Sequence, residues 1–326
     1  MSGDNPQKEL EDFLSNDLRA ELWGEVPLVG FYHYTTTTKL TSILESKTIR
    51  AGCIEKMNDT SEIRFAASIF RALVDRRYAT EPDPETVDFL QAVRCHLQQP
   101  LDVSHIFALS LSVGGDEAGM WSLYADRGQG FSFCISTKDI IPWAGFNEKG
   151  WFWKCKYGEE ETTRYCQKIL DKGIAIHREH SRHASAYDVD TYAAMFVDRA
   201  SYLAPVFKPK IWHDEQEWRW IFVRPDKRGK PYIELPLYDS SGENCVISAI
   251  CAGPNTDYLR STVPLLQLFA RMSRTIPVHV SQHRVDIPGF MPAVLLESVP
   301  HAPKDQRQDE FRSNQFNVVI PSPLPP

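Results

Sequence analysis

The chain has 326 residues, 42% of them hydrophobic and 24% charged, with a formal net charge of −7. That is an ordinary composition for a soluble globular protein with one large or two modest domains. Its mild acidity argues against a protein whose main task is coating nucleic acid, although a local basic patch stays open.

No apolar run approaches the ~20 residues that a membrane helix needs, so no membrane partner is expected. The polar start MSGDNPQKELEDFLSND lacks the apolar stretch of a secretory signal. Seven scattered cysteines without a CxxC pair fit reduced thiols better than a disulfide or zinc framework. A cytoplasmic protein is the expectation.

In chain order, residues 1–25 suit a polar helix, with Leu10, Phe13, Leu14, Leu18 and Leu22 at helical spacing. FYHY (31–34) reads as a short strand, and KLTSILES after it as a helix with Leu40, Ile43 and Leu44 on one face. Asp59 and Glu62 have capping-box spacing at the start of another helix. EPDP (81–84) is a loop, and ETVDFLQAVRCHL a helix. HIFALSLS (105–112) alternates as a strand, GGDE turns, AGMWSLYA is a short helix, and FSFCIS (131–136) is again a strand.

WFWKCKYG (151–158) is strand-like, with aromatic residues for the core or for an interface. Residues 159–205 look mainly helical, broken near His183, and form an insertion between two strand-rich halves. EWRWIFV, YIELPL and CVISAICAG follow as strands, DYLRSTVPLLQLFARM as a helix and PVHVSQ as a last strand. After residue 298 the chain is polar and proline-rich, a composition that predicts flexibility. The irregular alternation predicts an α+β domain over 26–298 rather than a regular βαβ fold.

Three stretches carry candidate chemistry. His33 stands on the first strand, where an isolated histidine is more often half-buried and satisfied. Trp121 and Tyr124 lie three apart on one helical face, the commoner fate of such a pair being the core. In HDEQEWRWIFV the side chains alternate, placing Glu217, Arg219 and Ile221 on one face and Trp218, Trp220 and Phe222 on the other. Glu215 shares the Glu217 face if the strand extends back that far. Two such carboxylates repel unless one is protonated or a cation lies between them; the bland version is a surface pair neutralised by Arg219 or Lys210.

The order HYT, a leucine-and-isoleucine helix, ND, MW-S-x-Y and ExEWR, running from about residue 31 to 255, resembles a bacterial family known as a domain of unknown function. That pattern in turn is similar to the ADP-ribosyltransferase superfamily. HYTTTTKLTSIL resembles its first strand and helix in the RNA-phosphotransferase and DNA-modifying branches, and EQEWRWIFV resembles the ExE motif of the arginine-directed branch. Where that superfamily has a serine-rich middle strand, this chain has only SLS with Ser110 and Ser112.

The resemblance implies a split two-sheet α+β core with flanking helices, and NAD as substrate with no metal. The reaction is cleavage of the bond between nicotinamide and ribose C1′ through an oxocarbenium-like transition state. It assigns Glu217 to charge stabilisation and Glu215 to the acceptor. His33 would hold a ribose hydroxyl, the backbone of Tyr34 or Thr35 the carboxamide, and Arg50 the diphosphate. Ser110 would line the NAD site on the middle strand, and Trp121 or Tyr124 would stack on the nicotinamide. The acceptor could be a protein arginine, a nucleic acid or water, the last in a toxin or phage-defence setting. Two alternatives stay open: a non-catalytic nucleotide sensor on the same fold, and a metal-dependent nuclease. His177, His180 and His183 share one helical face that could bind a transition metal, while the flanking Arg178, Glu179 and Arg182 suggest a solvated, charged helix; a nuclease would need a carboxylate cluster besides.

Overall fold

Leu10, Leu14, Leu18 and Leu22 are all buried, which is why the polar N-terminal segment folds at all: its apolar stripe needs a surface to cover. A computed structural model describes residues 5–23, 27, 30–57, 61–138, 140, 150–183, 187–238, 245–257, 261, 264, 265, 268 and 276–283. The chain divides into two units, one of residues 1–26, 50–110 and 147–235, the other of residues 27–49, 111–146 and 236–326.

The first unit holds α1 (Pro6–Asp12) and α2 (Leu18–Trp23), joined by a π-helical turn over Phe13–Asp17. At that turn the Ser15 hydroxyl donates back to Glu11 O at 2.6 Å, a competition with the helical ladder that bends helices. Helices α4 (Ser61–Thr80) and α5 (Pro84–Gln98) follow. Asp83 caps α5 through Thr86 N, and Pro84 opens it, the pairing that helix starts favour. Two further helices, α7 (Glu159–His183) and α8 (Val189–Ser201), pack on α4 and α5 around Phe70, Phe89, Tyr192 and Phe196.

The strands of this unit are β2 (Thr48–Cys53, from Arg50 on), most of β3 (Ile106–Ser112), β5 (Trp151–Lys154), β6 (Lys156–Tyr157), β7 (Phe207–Lys208), β8 (Glu217–Val223) and β9 (Tyr232–Pro236). Strand β8 pairs with β3 and β5. Its antiparallel register with β5 sets Trp153 opposite Arg219 and Phe152 opposite Trp220. Phe152 and Trp153 are 3% and 1% exposed, so these two aromatic residues of WFWKCKY are core, and Trp151 packs partly buried against it. The strand predicted over 151–158 breaks at Cys155, and β6 then pairs parallel with β7.

In the second unit β1 (Gly30–Thr35) pairs antiparallel with β4 (Phe131–Ser136), and Tyr32 pairs with Ser112 at the end of β3. Strand β10 (Ile247–Ala252) continues antiparallel on β4 and takes β11 (Val278–Val280) as a parallel neighbour. Two helices, α3 (Thr37–Ser46) and α6 (Ala118–Tyr124), complete it. Thr36 caps α3 through Lys39 N, and Lys47 ends it in the left-handed region.

The fold is therefore α+β, with mixed but mostly antiparallel strand pairing. Among the described residues no helix is long and apolar enough to cross a membrane. The Asp59 cap, most of the helix expected over 257–272 and the segment after residue 298 lie outside the described residues.

Candidate functional site

Glu217 is the first residue of β8 and only 5% exposed. Its strand is buried on both faces: on one, Phe152 meets the Trp218 and Trp220 rings and Phe222 stacks on Trp220, and Ile221 joins the helical core on the other. Alternation sends Glu217 and Arg219 to the helical side. There Arg219 Nε donates to Glu217 Oε1 at 2.7 Å, Arg219 Nη2 to Glu217 Oε2 at 3.1 Å, and Arg219 Nη1 to Pro205 O at 2.7 Å.

Glu215 does not extend the strand. It ends a 3-10 stretch, Lys210–Glu215, and Gln216 turns the chain with φ 44°. A left-handed conformation is costly for a residue with a side chain, and here it aims two neighbouring carboxylates at one point. That point is Lys208 Nζ, 2.5 Å from Glu215 Oε2 and 2.6 Å from Glu217 Oε2. The cation between the carboxylates is thus Lys208 from β7, with Arg219 alongside. Lys210 stays exposed, and the pair is buried rather than on the surface. Trp212 lies over the ammonium with its ring centroid 5.6 Å away. Glu217 N donates to the Tyr157 hydroxyl at 2.7 Å.

Burial pushes the Glu217 carboxyl up, but Arg219 and then Lys208 outweigh it and hold its pKa down at about 2. Glu217 is a carboxylate throughout the neutral range. With two cations and two anions the cluster is close to neutral, which is how such charges tolerate low dielectric.

Arg50 and Ser110 belong to the same unit. Arg50 is exposed on β2, 3.5 Å from Glu234 Oε1 and with its guanidinium 4.0 Å from the Tyr232 ring centre. Ser110 is half-buried in β3.

The remaining candidates belong to the second unit. Tyr34 and Trp121 meet edge to face at 4.8 Å. The Tyr34 hydroxyl donates to Gly114 O at 3.0 Å and accepts from Glu117 N at 2.9 Å. Burial raises its pKa above the ordinary tyrosine value. Trp121 is 2% exposed and gives its indole N–H to Asp116 Oδ1 at 2.6 Å. Tyr124 is half-buried beside them.

His33 faces the other way. It pairs in register with Phe133, and their rings lie 5.2 Å apart, on the face of β1 opposite Tyr34 and Trp121. Thr35 shares the His33 side and is 2% exposed. This unit brings together Tyr34, Trp121 and Tyr124, and sets His33 apart from them.

Two groups escaped the sequence reading. Lys208 sits in the run LAPVFKPK, where a lysine among apolar residues was the available signal. Asp116, read as part of a turn, accepts from Trp121, from Ser281 Oγ at 2.6 Å and from Gln282 N at 2.7 Å.

In the histidine-rich helix, His177 bonds the Tyr187 hydroxyl at 2.9 Å and Glu85 O at 3.0 Å, so both ring nitrogens are engaged. His180 bonds Glu9 at 2.8 Å. The side chain of His183 lies outside the described residues. Among the described residues no group of three histidine, cysteine or acidic side chains could hold a metal.

No curated protein matches the chain, and no solved structure does. Residues 120–220, which carry Trp121, Tyr124, Lys208, Glu215, Glu217 and Arg219, match the family described as Protein of unknown function (DUF2971), and the resemblance to a domain-of-unknown-function family holds there.

Proposed function

We propose that the protein is an NAD-dependent ADP-ribosyltransferase or NAD glycohydrolase on an ADP-ribosyltransferase-like split core. The observation that carries this reading is the ionised carboxylate of Glu217, at the opening of a late strand and beside the second carboxylate of Glu215. The nicotinamide–C1′ bond breaks with its electron pair leaving on nicotinamide, and positive charge develops on the ribose. A fixed carboxylate favours that state over the ground state. Glu215 takes the proton that the acceptor gives up as its nucleophilic atom bonds to C1′.

Lys208 and Arg219 offset the charge of Glu217, so catalysis requires one of these contacts to open when the dinucleotide binds. The diphosphate is the substrate group able to take over the Lys208 ammonium.

A second reading, a nucleotide-binding module without catalysis, is favoured by that same offset: both Glu217 oxygens already accept from cations.

Nicotinamide release from NAD, followed for the wild type, Glu217→Gln and a chelator-treated sample, separates the two. Release that needs Glu217 and ignores the chelator is the expected result. Saturable NAD binding without release would favour the binding module. If neither occurs, the cluster is a structural ion network and the NAD reading fails.

A further inference from the structure

Lys208, Glu215 and Glu217 are each no more than 6% exposed, so a ligand touches them only after some element moves. The turn Lys210–Glu215 is the element whose ties fit such a movement. Its main-chain bonds are local: Trp212 N donates to Pro209 O and Gln216 N to His213 O, each at 3.1 Å. Among the described residues no main-chain bond joins residues 211–214 to another element. Ile211 is 82% exposed, and the side chains of His213 and Asp214 also stand in solvent.

The inner side of the turn converges on one atom. Glu215 Oε2 accepts from Lys208 Nζ at 2.5 Å, and the half-buried Trp212 ring lies over the same ammonium. The His213 ring adds an edge-on contact with Tyr157 at 5.3 Å. The ends of the turn suit a hinge. Pro209 leads in with ψ 146°, and Gln216 leads out with φ 44°, a conformation that a residue with a side chain relieves when it is released.

Charge gives the movement a direction. Closed, the cluster sets Lys208 and Arg219 against Glu215 and Glu217. Swinging the turn outward carries the Glu215 carboxylate into water and leaves two cations facing one anion. A second anion is then favoured at the place that Glu215 held. Glu217 does not depend on the turn for its position, because Arg219 holds both of its oxygens.

We propose that the turn Lys210–Glu215 is a lid latched by Glu215 on Lys208, and that the diphosphate of a dinucleotide opens it by taking the place of Glu215. The proposal deepens the NAD reading and rests on it for the identity of the anion. It also orders the events. The diphosphate reaches the ammonium, Glu215 is released, and only then is its carboxylate free to take the acceptor's proton. Substrate binding thereby arms the base, a use of closure and release that lids commonly serve.

Fluorine NMR of the full chain labelled with fluorotryptophan follows the lid directly, with the Trp212 resonance assigned from Trp212→Phe. Inorganic pyrophosphate is the probe. In the wild type it should move the Trp212 resonance, saturably, toward the position of a solvent-exposed indole, while those of the buried Trp153, Trp218 and Trp220 stay in place. Glu215→Gln should show the exposed position without any anion. It should also bind pyrophosphate at least about tenfold more tightly, because the anion no longer has a latch to displace. A Trp212 resonance that ignores saturating pyrophosphate, or one unchanged by Glu215→Gln, would overturn the proposal. So would a shift shared by all four tryptophans, which would mean that β8 opens with the turn. The wild-type titration needs no folded variant. Nicotinamide release with an unmoving Trp212 resonance would sink the lid and spare the NAD reading. A lid that opens with pyrophosphate in a protein that neither binds nor cleaves NAD would do the reverse for that reading, and would overturn the dinucleotide as the opening ligand.

Discussion

Lys208 Nζ lies 2.6 Å from Glu217 Oε2, with both side chains shut away from solvent. Such a pair gains little over an apolar replacement of both partners, yet loses heavily when one partner is removed. That asymmetry makes the cluster testable by single substitutions.

Lys208→Met leaves Glu215 and Glu217 side by side with only Arg219 to compensate them. A loss of roughly 3–5 kcal/mol is expected, from the cost of breaking a buried ion pair. Urea unfolding measures it. Adding Glu215→Gln should recover part of the loss, and no recovery would mean that Glu215 is not coupled to the ammonium.

Glu217 also sets an acid limit. Its folded pKa, about 2 against an ordinary 4.5, is depressed, so its contribution is fully present above 4.5 and is lost as pH falls toward 2. The shift corresponds to roughly 3 kcal/mol. Unfolding curves across that window should be steeper in pH for the wild type than for Glu217→Gln. Equal slopes would show that the carboxyl has no such depression.

Asp116→Ala should free three donors at once: the Trp121 indole, the Ser281 hydroxyl and the Gln282 backbone. Leaving a buried donor unmet costs about 1–3 kcal/mol. Exchange of the Gln282 amide should speed up, together with a change in tryptophan emission. Asp116→Asn, which keeps an acceptor oxygen, should show less of both.

Gly173→Ala sets two effects against each other. Alanine is favoured over glycine inside a helix by about 1 kcal/mol. Yet a Cβ here would meet the Phe196 ring at 2.4 Å, and Phe196 is fully buried. Overpacking costs about 1–3 kcal/mol, so a net loss is expected in the melting temperature. A stabilised variant would show that α7 and α8 can move apart freely.

How much was legible follows from which contacts are local. The alternation in EWRWIFV is a period of two within one segment, and it placed Glu217, Arg219 and Ile221 together. The leucine spacing of the first helices worked in the same way. The register of WFWK against β8 was not legible, because it joins segments far apart in sequence. Nor was the turn at Gln216, since glutamine carries no sign of a left-handed conformation.

The sequence by itself determined that Glu217 shares a face with Arg219 and Ile221, and that two neighbouring carboxylates repel unless one is protonated or a cation lies between them. Only the tertiary structure decided which cation. Lys208 arrives on β7, which pairs with β6, and Gln216 turns Glu215 toward it. The sheet likewise decided that His33 and Trp121 stand on opposite faces, since pairing β1 with β4 fixes the pleat that a short motif leaves open.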